Sequence, residues 1–316
     1  MTINKPSVVI LIPAYNAENY LKEAINSSLN QTYKMCRVVV INDASTDATG
    51  DLISKYENNL KVEIIHNEKN KGKAESLNQL LPNLNETYVA LMDADDVMHP
   101  HRIENQVQFM NEHPDVGASS GFMEYISSDG RVIGKATLDL LTDEDARRYQ
   151  ENKEPFAIFC PCAILRTVVF QDGDLLFRKR FWPADDIDLW NRIYETKWRV
   201  IVQPEVLMQY RVHGSSAVTS NFFNTRQQFE FVRESMRARR RGEVEPTRAE
   251  FLQACEDKPV WYRLNKRRKI HAKGMYRGAG FAVAEKNYLS GIRMMAIACL
   301  LQPGYSLRRL IQQVVK

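Results

Sequence analysis

Four short runs of apolar residues, in which polar and apolar positions do not alternate, dominate the first third of the chain. They cover residues 7–12, 37–41, 61–65 and 88–92. Unbroken runs of this length are typical of strands that are covered on both faces. Between them, apolar residues recur at helical spacing, as at Leu21, Ala24, Ile25 and Leu29. This alternation predicts an α/β fold with a mostly parallel, Rossmann-like sheet and flanking helices.

The middle of the chain continues the alternation less regularly. A helix is predicted to begin at Pro100, and another behind the acidic residues 185–186. The polar residues 131–155 indicate an inserted surface segment. Further strands are predicted at 115–125, 156–165, 199–202 and 206–211.

After about residue 220 the pattern is helical throughout. Two of these helices are predicted to be separated near Leu289-Ser290-Gly291, and Pro303-Gly304 separates a final one. We therefore expect a domain of residues 1–220 and a helical C-terminal extension of residues 221–316.

The composition is that of an ordinary globular protein, with 44% hydrophobic and 26% charged residues. We find no apolar run long enough to span a bilayer and no apolar signal core before the first strand. The five cysteines lack zinc-type spacing, and Cys160 and Cys162 are predicted to be small buried side chains. Together these features predict a cytoplasmic, reducing location.

The net charge of +4 is unevenly distributed along the chain. Residues 221–316 hold 20 Lys and Arg against 8 Asp and Glu, whereas residues 1–220 hold 23 against 31. The basic helices, with Arg237, residues 239–241 and residues 266–269, have three interpretations. The first is contact with an anionic inner-membrane surface that carries a lipid-linked acceptor, the second is binding of nucleic acid, and the third is that the helix faces are simply solvated. No recognised nucleic-acid motif supports the second, so nucleic acid is not expected as a partner.

Three carboxylates follow the fourth apolar run, at Asp93, Asp95 and Asp96. Carboxylates this close repel one another unless a cation compensates them, and their oxygens suit Mg²⁺ or Mn²⁺. Alternatively, Asp95 and Asp96 cap the helix that begins near Pro100. The sequence leaves both interpretations open.

Two other acidic groups are expected at the same edge of the sheet. Asp43 follows the second strand, and Asp185 and Asp186 begin a helix. Taken singly, Asp43 could form a turn with Ser45 and Thr46, and the other two could be acids that favour a helix N-terminus. Taken together, they predict a nucleotide-binding crevice at the carboxyl ends of the strands.

These residues resemble the conserved motifs of the family 2 glycosyltransferases of the GT-A fold, in a form common in bacteria. The matching segments follow the family order over residues 7–216. They are Pro13-Ala14-Tyr15-Asn16-Ala17, Asn42-Asp43-Ala44-Ser45-Thr46-Asp47, Asn70-Lys71-Gly72-Lys73-Ala74 with Asn78, Asp93-Ala94-Asp95-Asp96, Asp185-Asp186 with Leu189, Trp190 and Arg192, and Tyr210-Arg211-Val212-His213-Gly214-Ser215.

Three positions depart from the family pattern. Asn42 and Ala44 replace the usual aspartate and glycine beside Asp43, and Asp185 replaces the usual glutamate before Asp186. Because Asp43 and Asp186 keep the positions to which the family assigns its roles, the resemblance still implies an active enzyme.

The resemblance implies inverting transfer of a sugar from a nucleoside diphosphate sugar, with a UDP-sugar expected, to a hydroxyl of a glycan or lipid-linked acceptor. It implies a role in the synthesis of cell-surface polysaccharide, with a divalent metal, Mn²⁺ or Mg²⁺, as cofactor. The implied donor-binding residues are Pro13, Ala14, Tyr15, Asn16, Asp43, Lys73, Asp93 and His213, the implied metal ligand is Asp95, and the implied catalytic base is Asp186.

Some of these assignments have alternatives. Asp186 is expected to be ionised because it stands at a helix N-terminus. Lys73 could be a solvated helix residue, His213 an ordinary loop histidine, and Trp190 a core residue rather than a sugar contact. Two other functions remain possible from the residues: a nucleotidyltransferase that makes nucleotide sugars, and a non-catalytic binding protein of the same fold.

Overall fold

The computed structural model describes residues 5–171, 175–213 and 222–314. Its sheet has nine strands: β1 Val8–Ala14, β2 Cys36–Asn42, β3 Val62–His66, β4 Tyr88–Leu91, β5 Val97–Met98, β6 Val116–Ile126, β7 Val132–Ala136, β8 Ile164–Arg166 and β9 Arg199–Arg211. The four apolar runs of the N-terminal third form β1 to β4, as predicted.

The sheet has a parallel and an antiparallel part. The strand order is β3-β2-β1-β4-β8-β6-β9-β5, with β7 paired to β6. The pairs β3–β2, β2–β1 and β1–β4 are parallel, whereas β8 is antiparallel to both β4 and β6, and β5 to β9. The predicted α/β fold is confirmed, and the parallel strands are the ones that alternate with helices along the chain.

The described helices are α1 Leu21–Leu29, α2 Thr49–Ser54, α3 Lys73–Asn78, α4 Arg102–Glu112, α5 Asp143–Glu151, α6 Val168–Gln171, α7 Asp185–Tyr194, α8 Phe222–Arg240, α9 Arg248–Glu256, α10 Val260–Ala284, α11 Tyr288–Leu301 and α12 Pro303–Val314. Among the described residues, none of these helices combines the length and the apolar character that crossing a membrane requires.

Several predicted elements differ in the structure. The run at 156–165 is not one strand, because Pro161 lies in a 3₁₀ turn at Cys160–Cys162 and β8 begins only at Ile164. The two predicted closing strands are the single strand β9, in which Pro204 is exposed. The polar segment 131–155 contains β7 and α5. Helices α10 and α11 separate at residues 285–287, before the predicted break.

The chain divides into two compact units. The first contains the chain up to Tyr125, Gly134–Arg180 and Asp185–Arg211, and the second contains Ile126–Ile133, Phe181–Ala184 and the chain from Val212 onward. The expected boundary near residue 220 lies outside the described residues, so that boundary remains a prediction.

The core of the first unit lies on both faces of the sheet. Ile10 and Val40 belong to a buried cluster on one face, and Leu11 and Val39 to a second cluster on the other. Because both faces are covered, these strands need apolar residues at successive positions, which explains the unbroken runs in the sequence.

Candidate functional site

The candidate site lies where β1, β2 and β4 end. These strands are parallel neighbours, so their carboxyl ends share one edge of the sheet. The last residues of β1 and β2, Ala14 and Asn42, are paired, and the Asp43 N–H donates to the Ala14 carbonyl at 2.8 Å. The expected convergence of the strand ends is therefore present.

The segment after β1 is joined to the segment after β2. Pro13 and Ala14 are the last residues of β1, and Tyr15 and Asn16 follow it. The Asn16 carboxamide oxygen accepts from the N–H of Thr46 at 2.9 Å, and the Asn16 N–H donates to the Ser45 hydroxyl at 3.1 Å. Asn16 has a φ of 49°, which an asparagine tolerates better than most residues. The four predicted donor-binding residues thus border one surface, on which Tyr15 is exposed.

Asp43 is buried and organises the segment before α3. Its carboxylate accepts from the Asn67 amide at 2.7 Å and from the N–H groups of Lys71 and Gly72 at 2.9 and 2.8 Å. Burial alone would raise the pKa of Asp43, but these hydrogen bonds outweigh it and lower the pKa. The turn at Ser45 is made instead by Asn42, whose side chain accepts from the Ser45 N–H at 3.0 Å. The alternative of a turn at Asp43 is therefore wrong.

Asp93, Asp95 and Asp96 form an acidic cluster, which we call the acid turn. Their carboxylates each offer an oxygen within 4.8 Å of the others. Asp96 is buried, and its Oδ1 accepts from the Arg211 N–H at 2.8 Å. Its Oδ2 has no hydrogen-bond partner within the described part of the chain. Burial, followed by the charges of Asp95 and Asp93, raises the pKa of Asp96 well above its usual value.

The acid turn does not cap the following helix. Helix α4 begins at Arg102 and has no side-chain hydrogen bond at its N-cap. The interpretation of Asp95 and Asp96 as caps is therefore wrong. Three clustered carboxylates with an orphaned buried oxygen are the kind of donor set that a divalent cation would satisfy. The residues present thus fit the predicted metal site, in which Asp96 lies beside Asp95, the ligand that the resemblance implied.

Lys73, the first residue of α3, forms an ion pair with Asp93. Burial would lower the pKa of Lys73, but the charge and the hydrogen bond of Asp93, together with other nearby groups, outweigh it and raise the pKa well above its usual value. Lys73 also interacts electrostatically with Asp186. Lys73 is thus partly exposed but paired with Asp93, and it is not only a solvated helix residue.

Asp185 and Asp186 begin α7, as predicted. The Asp186 carboxylate accepts a hydrogen bond from the Ile187 N–H at 2.8 Å. It also interacts electrostatically with Lys73 and Asp93, so it belongs to the same site as the acid turn. Burial, followed by the charge of Asp185, raises the pKa of Asp186 to about 7. The expectation that Asp186 is fully ionised is therefore wrong, because desolvation outweighs the favourable position at the helix N-terminus.

Arg211 is a site residue whose role the sequence did not reveal. Its Nε donates to the Asp95 carbonyl at 2.9 Å, its guanidinium forms an ion pair with Glu23 at 2.6 Å, and the same group lies over the Tyr20 ring. Together with the N–H bond to Asp96, these contacts hold the acid turn from the end of β9. The only sequence signal was its place in the last matching motif.

Arg102 is a second such residue, and it is completely buried. Its guanidinium donates to the carbonyls of Leu91, Pro161 and Ala163 at 2.9, 3.1 and 3.2 Å. Burial lowers the pKa of Arg102, while the nearby Asp96 charge opposes this shift. Arg102 therefore joins the end of β4 to the segment before β8, beside the acid turn.

His213 belongs to the second unit, where it lines a cavity of about 360 Å³ with residues that include Phe222, Arg277 and Phe281. Its proposed contact with the donor remains a prediction. Trp190 is fully buried in the core of the first unit, as its helical spacing suggested, and so is not a sugar contact.

Cys160 and Cys162 are buried free thiols, as predicted. Burial raises the pKa of the Cys160 thiol, and the charges of Lys73 and Asp186 also act on it. Cys160 therefore lies close to the candidate site as a neutral, weakly polar group.

Comparison with known sequences identifies relatives of this chain. The model of the family described as Glycosyl transferase family 2 matches residues 9–173. An uncharacterized glycosyltransferase of Haemophilus influenzae is 32% identical over 232 residues, which cover 71% of this chain and 70% of the relative. TuaG of Bacillus subtilis, a glycosyltransferase assigned to teichuronic acid biosynthesis, is 25% identical over 73% of this chain and 89% of its own.

Solved structures share the fold. TarS residues 1–349 of S. aureus in complex with UDP aligns with a TM-score of 0.55 and 17% identity, over 94% of this chain and 92% of TarS. The mannosyltransferase PcManGT of Pyrobaculum calidifontis, in complex with GDP-Man and Mn²⁺, aligns with a TM-score of 0.53 and 18% identity, over 96% and 81% of the two chains.

Proposed function

The chain belongs to glycosyl transferase family 2, and on this basis we propose that it transfers a sugar from a nucleoside diphosphate sugar to a hydroxyl group with inversion at the anomeric carbon. The observation that carries the proposal is the meeting of the acid turn, Lys73 and Asp186 at the edge of the sheet where Asp43 lies.

The donor is proposed to be a UDP-sugar. The segments that bear Pro13, Ala14, Tyr15 and Asn16 would contact the base and ribose together with Asp43. Both Asp43 oxygens already accept hydrogen bonds from the segment before α3, so the side chain would act partly by fixing the shape of the nucleotide site. Neighbouring folds crystallised with UDP and with GDP-Man support a nucleotide donor without selecting the base.

Asp95 and Asp96 are proposed to hold a divalent cation, Mn²⁺ or Mg²⁺, with Asp93 contacting the ribose or the water shell of the ion. When bound, such an ion supplies positive charge that stabilises the leaving diphosphate. Lys73 pairs with Asp93 and adds a second positive charge at the same place. A contact between His213 and the donor phosphates is also proposed.

Asp186 is proposed as the catalytic base. Direct displacement requires that the acceptor hydroxyl lose a proton as its oxygen attacks the anomeric carbon, and the base must lie on the acceptor side. With a pKa raised to about 7, Asp186 binds this proton more strongly than an exposed aspartate and can still release it near neutral pH.

The acceptor is proposed to be a glycan or a lipid-linked glycan in cell-surface polysaccharide synthesis, handled at the cytoplasmic face of the membrane. The relationship to TuaG supports this class of acceptor.

A thermal-shift screen of the whole chain with UDP-, GDP- and dTDP-sugars, each with and without Mn²⁺, tests the donor assignment, because a ligand that binds the native state raises the melting temperature. We expect the largest shift with a UDP-sugar plus Mn²⁺. A shift only with GDP- or dTDP-sugars would reject the UDP assignment, and no shift with any of them would contradict the proposed function.

A further inference from the structure

One face of helix α10 carries large apolar residues in its first half and small residues in its second half. Eighteen residues make about five helical turns, so residues 18 apart in α10 lie on the same face. Val260, Trp261 and Leu264 therefore share a face with Gly278, Ala279 and Ala282. The first three residues are large and apolar, and the last three are small.

In the second half of α10 this face is covered by α11. A Cβ at Gly278 would lie 3.0 Å from the Met294 sulfur, and a Cβ at Gly291 would lie 3.3 Å from the Ala279 carbonyl. Ala279 is buried. The small residues thus permit a close contact between two helices, which shows that this face of α10 is a packing surface.

In the first half the same face is exposed within the described structure. The exposed fractions of Val260, Trp261 and Leu264 are 60%, 69% and 60%. Three large apolar side chains on adjacent turns form a contiguous surface, which costs free energy in water unless something covers it.

Basic residues continue this face beyond Leu264. At about 100° per residue, Arg267, Arg268 and His271 lie on the same side of α10 as the three apolar residues, and all three are exposed. We call the six residues the apolar-basic stripe: Val260, Trp261, Leu264, Arg267, Arg268 and His271.

The other two members of the basic run do not belong to the stripe. Lys266 forms an ion pair with Glu230 of α8. Lys269 is exposed but lies about 140° from the middle of the stripe. The structure therefore divides four consecutive basic residues between different faces, a distinction that the sequence did not draw.

We propose that the apolar-basic stripe docks on an anionic phospholipid surface. Trp261 and its apolar neighbours would enter the boundary between headgroups and acyl chains, where tryptophan is enriched, while Arg267 and Arg268 contact lipid phosphates. The excess of basic residues in 221–316, 20 against 8 acidic, complements such a surface. This proposal rests on the proposed function, because a lipid-linked acceptor would bring the enzyme to a membrane.

Two other occupants fit the stripe less well. In a dimer formed about a two-fold axis through the stripe, Arg267 and Arg268 would face either their own copies or the apolar end of the second stripe, and in neither case an anionic partner. A nucleic acid would leave the aliphatic Val260 and Leu264 without a partner of suitable chemistry.

Flotation of the full chain with vesicles tests the proposal. We expect wild-type protein to float with phosphatidylcholine vesicles that contain about a third phosphatidylserine, and far less with phosphatidylcholine alone. Arg268→Gln should weaken binding about fivefold, and the neighbouring Lys269→Gln, with the same change of charge, less than about twofold. Trp261→Ser with Leu264→Ser should reduce binding even at low salt, because apolar insertion does not depend on screening.

Equal binding by Arg268→Gln and Lys269→Gln, or full binding by the double serine variant, would overturn the proposal. If the wild type is a dimer and the serine variant is a monomer, the stripe is instead an interface with a second copy. If the wild type binds a nucleic acid and the serine variant does not, the stripe is instead a nucleic-acid surface. Donor hydrolysis measured without lipid should be the same in every variant. If the wild type shows no donor hydrolysis, the proposed function is contradicted, whereas the vesicle-binding result is unaffected.

Discussion

The main-chain N–H of Arg211 donates a 2.8 Å hydrogen bond to the buried carboxylate of Asp96. This bond joins the end of β9 to the acid turn, which precedes it by more than 100 residues in the chain. The short strand β5 continues the link, since Val97 pairs with Gln209 and Met98 with Met208. The position of the acid turn is thus set by antiparallel pairing as well as by β4.

Replacing Arg211 with alanine should weaken binding of the divalent cation. The variant loses the hydrogen bond to the Asp95 carbonyl and the ion pair with Glu23, so the acid turn is held less firmly. We expect the Mn²⁺ concentration for half-maximal transfer to rise about 10- to 100-fold. The rate at saturating Mn²⁺ should fall much less.

Arg37→Ala is the matched control, because the Arg37 guanidinium is also ion-paired, with Glu63 and Glu86, but at the amino-terminal end of β2. An equal rise in the Mn²⁺ requirement for both variants would show that Arg211 has no special role at the acid turn.

Asp96→Asn should stabilise the chain without metal and abolish much of its response to metal. The asparagine keeps the shape of the side chain but removes the cost of burying an ionisable group beside Asp95 and Asp93. With a chelator present we expect the free energy of unfolding to rise by about 1–2 kcal/mol. The stabilisation by excess Mn²⁺, about 2–3 kcal/mol for the wild type at 100 times the dissociation constant, should largely disappear.

Denaturant unfolding of both proteins, with chelator and with Mn²⁺, measures these changes. A variant that is less stable without metal, yet equally stabilised by Mn²⁺, would exclude Asp96 from the cation site.

The stability of the chain should depend on pH through Asp186. The pKa of Asp186 is raised from 3.8 to about 7 by burial and by Asp185. The neutral carboxyl group of Asp186 therefore stabilises the folded state. This stabilisation is fully present below the pKa that Asp186 has in the unfolded chain, and it is lost as pH rises through about 7. Relative to Asp186→Asn, the free energy of unfolding of the wild type should fall by at most about 4 kcal/mol between pH 4 and 8.

This comparison is made by denaturant unfolding at a series of pH values, with a chelator present to keep cations from altering the charge balance. A difference between the two proteins that stays constant with pH, or that grows in favour of the wild type, would contradict the raised pKa.

Arg102→Met should destabilise the chain strongly although it introduces an apolar side chain into the core. The methionine would remove the guanidinium donors to the carbonyls of Leu91, Pro161 and Ala163. The Ala163 carbonyl would keep another donor, the Leu91 N–H. We expect a loss of about 3–5 kcal/mol. Arg166→Met, which removes a partly exposed arginine of β8, should cost less, and the reverse order in denaturant unfolding would be inconsistent with this account.

The elements that the sequence predicted well are those determined by local pattern. Strands β1, β2 and β4 are buried on both faces, so their unbroken apolar runs identified them, whereas β3 lies at the sheet edge and is only partly buried. The convergence of the acidic residues at the strand ends was also predictable, because a parallel sheet brings the carboxyl ends of its strands to one edge wherever they occur in the sequence. The approximate location of the site followed from these two facts.

The elements that it predicted poorly depend on distant contacts. Nothing near Arg102 indicates that an arginine beginning a helix will be completely buried, since its partners lie on other segments. The sequence is compatible with Asp96 as a helix cap, but in the structure Asp96 is buried and accepts a hydrogen bond from the Arg211 N–H. The ionisation of Asp186 likewise depends on its burial, which helix position alone does not determine.

Sugar transfer by the wild type, Asp186→Asn and Asp95→Ala, with a competent donor and acceptor, tests the central claim most directly. We predict that Asp186→Asn retains the thermal shift with donor and Mn²⁺ but loses about 10²- to 10⁴-fold in transfer, because only the base is removed. Asp95→Ala should lose both the Mn²⁺-dependent shift and at least about 10²-fold in transfer. Near-normal transfer by both variants would contradict the account.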